Sequence, residues 1–114
     1  MRNCYATGNV SGSSIIGGLA GNVQMYTSIR NSFATGNVIS SNGTAGGLIG
    51  SSSYDLCIKD CYTTGDITGK ASTGGLLGVS SDSHSSVVNV SEITNSYTTG
   101  KITSTESYAG GLVG

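Results

Sequence analysis

The sequence has no proline and no tryptophan, and its aromatic residues are six tyrosines and one phenylalanine. A chain of 114 residues suits one domain, whose core must be thin because large apolar side chains are few. Charged residues make up only 10% of the chain and the formal net charge is −1, which excludes the basic surface of a nucleic-acid-binding protein. A low net charge also argues against disorder. We therefore expect a folded domain that binds no nucleic acid.

Long apolar runs are also missing, so we expect no insertion into a membrane. Residues 1–30 lack the charged start and apolar segment of a signal peptide. Either the chain is not secreted by that route or its leader lies outside these 114 residues, and we expect the second because the sequence starts and stops at the edges of a repeat.

Two short phrases recur four times. The first phrase reads RNCYATGNVSG from Arg2, RNSFATGNVIS from Arg30, KDCYTTGDITG from Lys59 and TNSYTTGKITS from Thr94. The second reads GGLAG, GGLIG, GGLLG and GGLVG and places a leucine at Leu19, Leu48, Leu76 and Leu112. The glycines of the first phrase, Gly8, Gly36, Gly65 and Gly100, are 28, 29 and 35 residues apart. Fixed phrases with variable connectors at this period are typical of stacked repeats.

The repeated segments alternate with a period of two and are rich in Thr, Val, Ile and Tyr, which predicts strands. One of the odd positions in the stretch 31–38 is Asn37, and the equivalent residues of the two later copies are Asp66 and Lys101. Charges do not belong in a narrow core, so we expect the odd positions to face solvent. The even positions, always small or aliphatic, should be buried.

These observations predict an all-β fold, a right-handed parallel β-helix (β-solenoid) that occupies residues 1–114 as a single domain. Each coil of about 28 residues should contain three short strands, with coils about 4.8 Å apart. The predicted coils are 1–29, 30–58, 59–93 with an insertion around 79–91, and an incomplete coil at 94–114. An antiparallel β-sandwich is the alternative, although it does not explain the period.

The GGLxG phrases, with phrases like NCYATGNVSG between them, resemble the GLUG repeat of bacterial and archaeal surface proteins. That family includes adhesin-like proteins and IgA-peptidase-type proteins, in which the repeat lies outside the catalytic part. The resemblance covers essentially the whole chain. It implies an extracellular or cell-surface, non-catalytic β-solenoid module, often part of a longer protein. Two features depart from the repeat: the extra residues within 79–93, and a last copy that stops at Gly114.

Catalysis and metal binding are not expected. His84 is the only histidine and lies in the Ser-rich insertion, so a catalytic triad or a two-histidine metal site has little to build on. Asp60 and Asp66 share a coil but fall at a turn and on the outer face, where nothing predicts a perturbed pKa. The GGL phrases carry no Asp, unlike calcium-binding repeats. We expect no enzyme activity and no cofactor.

The three cysteines are expected to be free thiols that pack as small hydrophobic groups. Cys4 and Cys61 belong to one buried column but lie two coils apart, roughly 9.6 Å by the coil spacing, which is beyond the reach of a disulfide. Whether Cys57 and Cys61 pair stays open, because a corner at Asp60 would bring them closer.

The outer face is the candidate contact surface. It should carry an aromatic column beside a threonine column: Tyr5, Phe33, Tyr62 and Tyr97, then Thr7, Thr35, Thr64 and Thr99. The simplest interpretation is that like residues stack because ladders stabilise parallel sheets. A functional interpretation is a face that binds a cell-surface glycan or protein, and ice is a further alternative. The preceding corner, with Asn3, Asn31, Asp60 and Asn95, suits turn geometry and amide ladders.

The sequence therefore predicts a non-catalytic structural or adhesive module, a stiff rod with partners among flanking repeats or other copies of itself. An alternative is a fibre subunit that stacks head to tail, because open strand edges template further pairing. End-to-end contacts would then involve the residues of the first and last coils, Met1, Tyr5, Val10, Ile102 and Leu112. The insertion near 79–91 is our first candidate for a specific contact.

Overall fold

Each strand lies beside the equivalent strand of the next repeat, and all the pairings are parallel and in register. The structure, a computed structural model, describes residues 1–24, 26–81 and 92–114. No helix occurs in these three ranges, and none of their segments is a long apolar helix of the kind that crosses a membrane. The chain is an all-β parallel β-solenoid, as the repeat predicts. Its right-handed winding stays a prediction.

Within the described ranges the strands form five stacks, which we number as sheets 1–5 in the order in which the chain enters them. Sheet 1 contains β1 (Tyr5–Ala6), β6 (Phe33–Ala34), β11 (Tyr62–Thr63) and β16 (Tyr97–Thr98). Sheet 2 contains β2 (Val10–Gly12), β7 (Val38–Ser40), β12 (Ile67–Gly69) and β17 (Ile102–Ser104). Sheet 3 contains β3 (Ile16–Gly17), β8 (Ala45–Gly46), β13 (Thr73–Gly74) and β18 (Ala109–Gly110). Sheet 4 contains β4 (Ala20–Gln24), β9 (Ile49–Ser53) and β14 (Leu77–Ser81). Sheet 5 contains β5 (Thr27–Arg30), β10 (Leu56–Lys59) and β15 (Glu92–Thr94).

The prediction of three strands per coil was wrong, because the coil 30–58, which is described throughout, contains five. The first phrase is cut by a bend at Thr7–Asn9 into β1 and β2, and the second by a bend at Gly18–Leu19 into β3 and β4. Glycine and asparagine favour such bends, so strands that look continuous in the sequence become pieces of two to five residues.

The core lies between the sheets and is lined by the even positions of the first phrase, as predicted. In the middle coils Ala34, Val38 and Ile67 are buried, whereas Asn37 and Asp66 are exposed. The repeated leucines show how burial depends on position along the axis. Leu48 and Leu76 are fully buried, Leu19 is half-buried, and Leu112 is 39% exposed. Residues of the outer coils are covered on one side only.

The glycine of the first phrase is fixed by the closeness of neighbouring coils. A Cβ atom added to Gly36 would collide with the carbonyl group of Gly8, and one added to Gly65 would collide with that of Gly36. At Gly8, in the first coil, no atom beyond the adjacent residues lies within 4 Å of the position of an added Cβ. The glycine recurs because a coil can approach the preceding one only where no side chain intervenes.

Candidate functional site

The aromatic column forms as predicted. Ring centroids of successive residues are 5.3, 4.9 and 5.3 Å apart, with interplanar angles of 11°, 6° and 7° from Tyr5 to Tyr97. The rings of Phe33 and Tyr62 are therefore covered on both faces. Tyr5 and Tyr97, at the two ends, remain 67% and 52% exposed. A ligand that approached this column from the side would meet ring edges and tyrosine hydroxyls, not ring faces.

The threonine column follows the aromatic column on the outer surface. Thr7, Thr64 and Thr99 are exposed and Thr35 is half-buried. Because these residues follow the strands of sheet 1, their spacing along the axis is that of the coils. The structure thus brings the two predicted columns together, and their role as a contact face stays a prediction.

A polar ladder runs through the column that contains Asn9, Asn37, Asp66 and Lys101. The Oδ1 atom of Asn9 accepts a hydrogen bond from the backbone N–H of Asn37 at 2.9 Å. Asn37 Oδ1 accepts in turn from Asp66 N–H at 2.9 Å, and Asp66 Oδ1 from Lys101 N–H at 3.0 Å. The lysine side chain has no acceptor atom, so the ladder of side-chain acceptors ends at Lys101. The sequence favours an amide ladder one corner earlier, in the column of Asn3.

That earlier corner has the turn geometry that was predicted for it. Asn3, Asn31, Asp60 and Asn95 all adopt the left-handed conformation, with φ values of 53°, 48°, 55° and 47°. Asn and Asp tolerate this region better than other non-glycine residues. Asp60 therefore forms a corner, and Asp66 is a step of the polar ladder. Both side chains are exposed.

The cysteine column alternates with serine and joins neighbouring coils. The backbone N–H of Cys4 donates to Ser32 Oγ, and that of Cys61 donates to Ser96 Oγ, each at 3.2 Å. All three cysteines are free: Cys61 is buried, whereas Cys4 and Cys57 are half-buried. Burial raises the pKa of the Cys61 thiol. Hydrogen bonds with the backbone of Ser32 and Lys59 lower it by a smaller amount.

The sequence did not point to an open cavity of about 200 Å³ at the corner between sheets 4 and 5. We call it the corner cavity, and its lining residues are Tyr26, Thr27, Ser28, Asp55, Leu56 and Cys57. Thr27 pairs with Leu56, so the preceding residues, Tyr26 and Asp55, occupy equivalent positions in neighbouring coils. Asp55 Oδ1 is buried and accepts no hydrogen bond from the described residues. Because the equivalent residues Tyr26 and Asp55 differ in type, no periodic pattern in the sequence pointed to this cavity.

Some of the predicted features cannot be placed. His84 and most of the insertion around 79–91 lie outside the described residues. Within the described ranges, no group of three or more His, Cys, Asp or Glu side chains is arranged to hold a metal ion.

The fold and the stacked columns define a solenoid repeat protein. A family model for the GLUG motif matches residues 12–39, a stretch that contains both the GGLAG phrase and the SFATGNV phrase. Residues 12–39 thus contain a GLUG motif. A search of curated proteins found no match, and a search of solved structures found none.

Proposed function

We propose that the chain is a non-catalytic structural and adhesive module, which acts outside the cell or at its surface as part of a longer β-solenoid. The main support is that residues shared by the copies contact the next copy. The ring stack from Tyr5 to Tyr97 and the ladder from Asn9 to Lys101 both run through all four coils. The extracellular setting rests on the resemblance to GLUG-repeat surface proteins.

The dimensions of the chain favour further coils as its partners. The molecule measures 34 × 30 × 19 Å. Four coils spaced about 4.8 Å apart account for roughly 19 Å, so the solenoid axis is the shortest dimension. Four coils make a disc, and a rod requires more coils, from flanking repeats of a longer chain or from other copies of this one.

The exposed apolar groups at the two ends favour self-stacking as a second candidate. Met1 is 48% exposed at one end and Leu112 is 39% exposed at the other. Val10 and Ile102 are half-buried, whereas Val38 and Ile67, the equivalent residues of the middle coils, are buried. A second copy placed head to tail would extend sheets 1–3, which have four strands each among the described residues, more completely than sheets 4 and 5, which have three.

Sedimentation velocity and electron microscopy of the purified chain test these alternatives. Filaments that disappear in Leu112→Lys, but persist when the same charge is placed on the outer face by Thr99→Lys, would establish self-stacking. A folded monomer in all three proteins would make flanking repeats the partner. Turnover of a polysaccharide that is lost in Asp66→Asn would contradict the non-catalytic role.

A further inference from the structure

The corner cavity is lined by residues whose types the repeat does not require, among them Tyr26 and Asp55. Tyr26 is 73% exposed, in contrast to the covered rings of Phe33 and Tyr62. Asp55 has a buried carboxylate oxygen without a donor among the described residues. We propose that the corner cavity binds one neutral sugar residue, with the Asp55 carboxylate and the Tyr26 ring as its principal contacts. This inference deepens the adhesive part of the proposed function and rests on it.

Asp55 supplies an acceptor that the fold itself leaves unused. Its backbone carbonyl accepts from Thr27 N–H at 3.0 Å, so the main chain on which the carboxylate sits is fixed by the sheet. The carboxylate itself can turn about its last torsion, which is a broad one. A hydroxyl group in the cavity would then donate to Oδ1 and remove the cost of an unpaired buried acceptor.

The charges around the cavity favour a neutral ligand with hydroxyl groups. Ser28 Oγ accepts from Arg30 Nε at 3.3 Å, so a positive charge lies beside one lining residue, while Asp55, another lining residue, contributes a negative charge. A cationic ligand would be repelled by the guanidinium of Arg30, and an anionic ligand by the carboxylate of Asp55. A sugar hydroxyl can both donate to Asp55 and accept from the Ser28 hydroxyl. The volume of about 200 Å³ has room for a single ring.

Tyr26 supplies an apolar surface for the carbon face of a sugar ring. Aromatic side chains combine a large apolar face with a polar hydroxyl, which suits ligands of mixed polarity. Tyr108 is equally exposed, at 74%, but lies in the last coil away from the cavity, and it therefore serves as a matched control.

The backbone beside the cavity is strained. Tyr54, immediately before Asp55, has a φ of 75°, a region that bulky residues rarely adopt. Unlike the four Asn and Asp corners, this position has a side chain that does not favour the conformation. Such outliers occur preferentially at binding sites, where they fix the direction of a neighbouring side chain.

NMR titration of the ¹⁵N-labelled chain with glucose, galactose, mannose and N-acetylglucosamine tests the proposal. We expect at least one sugar to shift the amide signals of Ser28 and Leu56 with millimolar affinity. Tyr26→Ala and Asp55→Asn should each weaken that affinity about tenfold or more. Tyr108→Ala and Asp60→Asn should leave it unchanged, the second because Asn is native to that corner in the other copies.

Three outcomes would overturn the proposal. They are the absence of shifts with all four sugars, shifts that persist unchanged in Tyr26→Ala and Asp55→Asn, and tighter binding of ethanolamine than of any sugar. Well-dispersed spectra of every variant would show that the fold is intact. Because the sedimentation experiment does not involve the cavity, a failure here leaves the structural role of the module standing.

Discussion

The repeated glycine of the first phrase gives the sharpest test of coil stacking, because two copies of it differ only in what lies next to them. Gly36→Ala would drive a methyl group against the Gly8 carbonyl, whereas Gly8→Ala adds the same methyl group in open space. No glycine among the described residues has a positive φ, so alanine fits the backbone at both positions. The two variants also gain the same small benefit in the unfolded chain.

The expected cost follows from the hydrogen bonds beside Gly36. Thr35 N–H donates to Ala6 O at 3.0 Å, and Asn37 N–H donates to Asn9 Oδ1 at 2.9 Å. Separating the coils by about 1 Å to admit the methyl group stretches both bonds beyond their normal range. Each bond contributes about 1 kcal/mol and overpacking costs about 1–3 kcal/mol, while the benefit of alanine in the unfolded chain offsets about 0.4–1 kcal/mol of this total. We expect Gly36→Ala to lower the free energy of unfolding by about 2–4 kcal/mol, and Gly8→Ala to change it by less than about 1 kcal/mol.

Urea unfolding followed by circular dichroism measures both values. Tyrosine fluorescence supplies a second probe of two-state behaviour in this tryptophan-free chain. If Gly36→Ala were as stable as Gly8→Ala within about 0.5 kcal/mol, the coils would not approach as closely as described and the explanation of the repeated glycine would be wrong.

Three further predictions concern the core, a thiol and a corner. Leu48→Ala should cost about 2–5 kcal/mol in urea unfolding and Leu112→Ala clearly less, because Leu48 is fully buried and Leu112 is not; equal costs would contradict this. Burial raises the pKa of Cys61 above its ordinary value of 9.0, so the folded state favours the protonated thiol. The contribution of this preference to the free energy of unfolding is complete below that pH and is lost as the pH rises through the folded-state pKa. The free energy of unfolding should therefore fall between about pH 8 and pH 10 in the native chain and fall less in Cys61→Ser. Parallel pH profiles of the two proteins would refute this prediction. Asp60→Asn should be neutral and Asp60→Ala should cost about 1 kcal/mol in thermal unfolding, because φ is 55° at this position; the same melting temperature for both would remove the role of the corner.

The sequence predicted the stacking, the buried set and the aromatic column, because each of these follows from the repetition of a residue type. When Tyr5, Phe33 and Tyr62 occur at one position of a stacked repeat, their rings must meet. The left-handed corner at Asn3 was predictable for the same reason, since Asn and Asp alone occur there.

Other features depended on details that residue types do not reveal. The five short strands arise from bends whose angles are set by the backbone. The ladder at Asn9 requires a side chain to reach the main chain of the next coil, and Asn3 has the same side chain without that geometry. The corner cavity is formed by residues such as Tyr26 and Asp55, which differ between copies and so give no periodic signal.

The ladder at Asn9 has a direction, and this bears on how the chain folds during synthesis. In each step the acceptor belongs to the earlier coil and the donor to the later one. A ribosome releases the chain from its N-terminus, and a coil of this length emerges in roughly one to six seconds. The Asn9 amide therefore leaves the ribosome before the Asn37 backbone N–H that it accepts from. Each coil that has formed presents an acceptor to the coil that follows it in the chain, so the ladder can extend from the N-terminal coil onward.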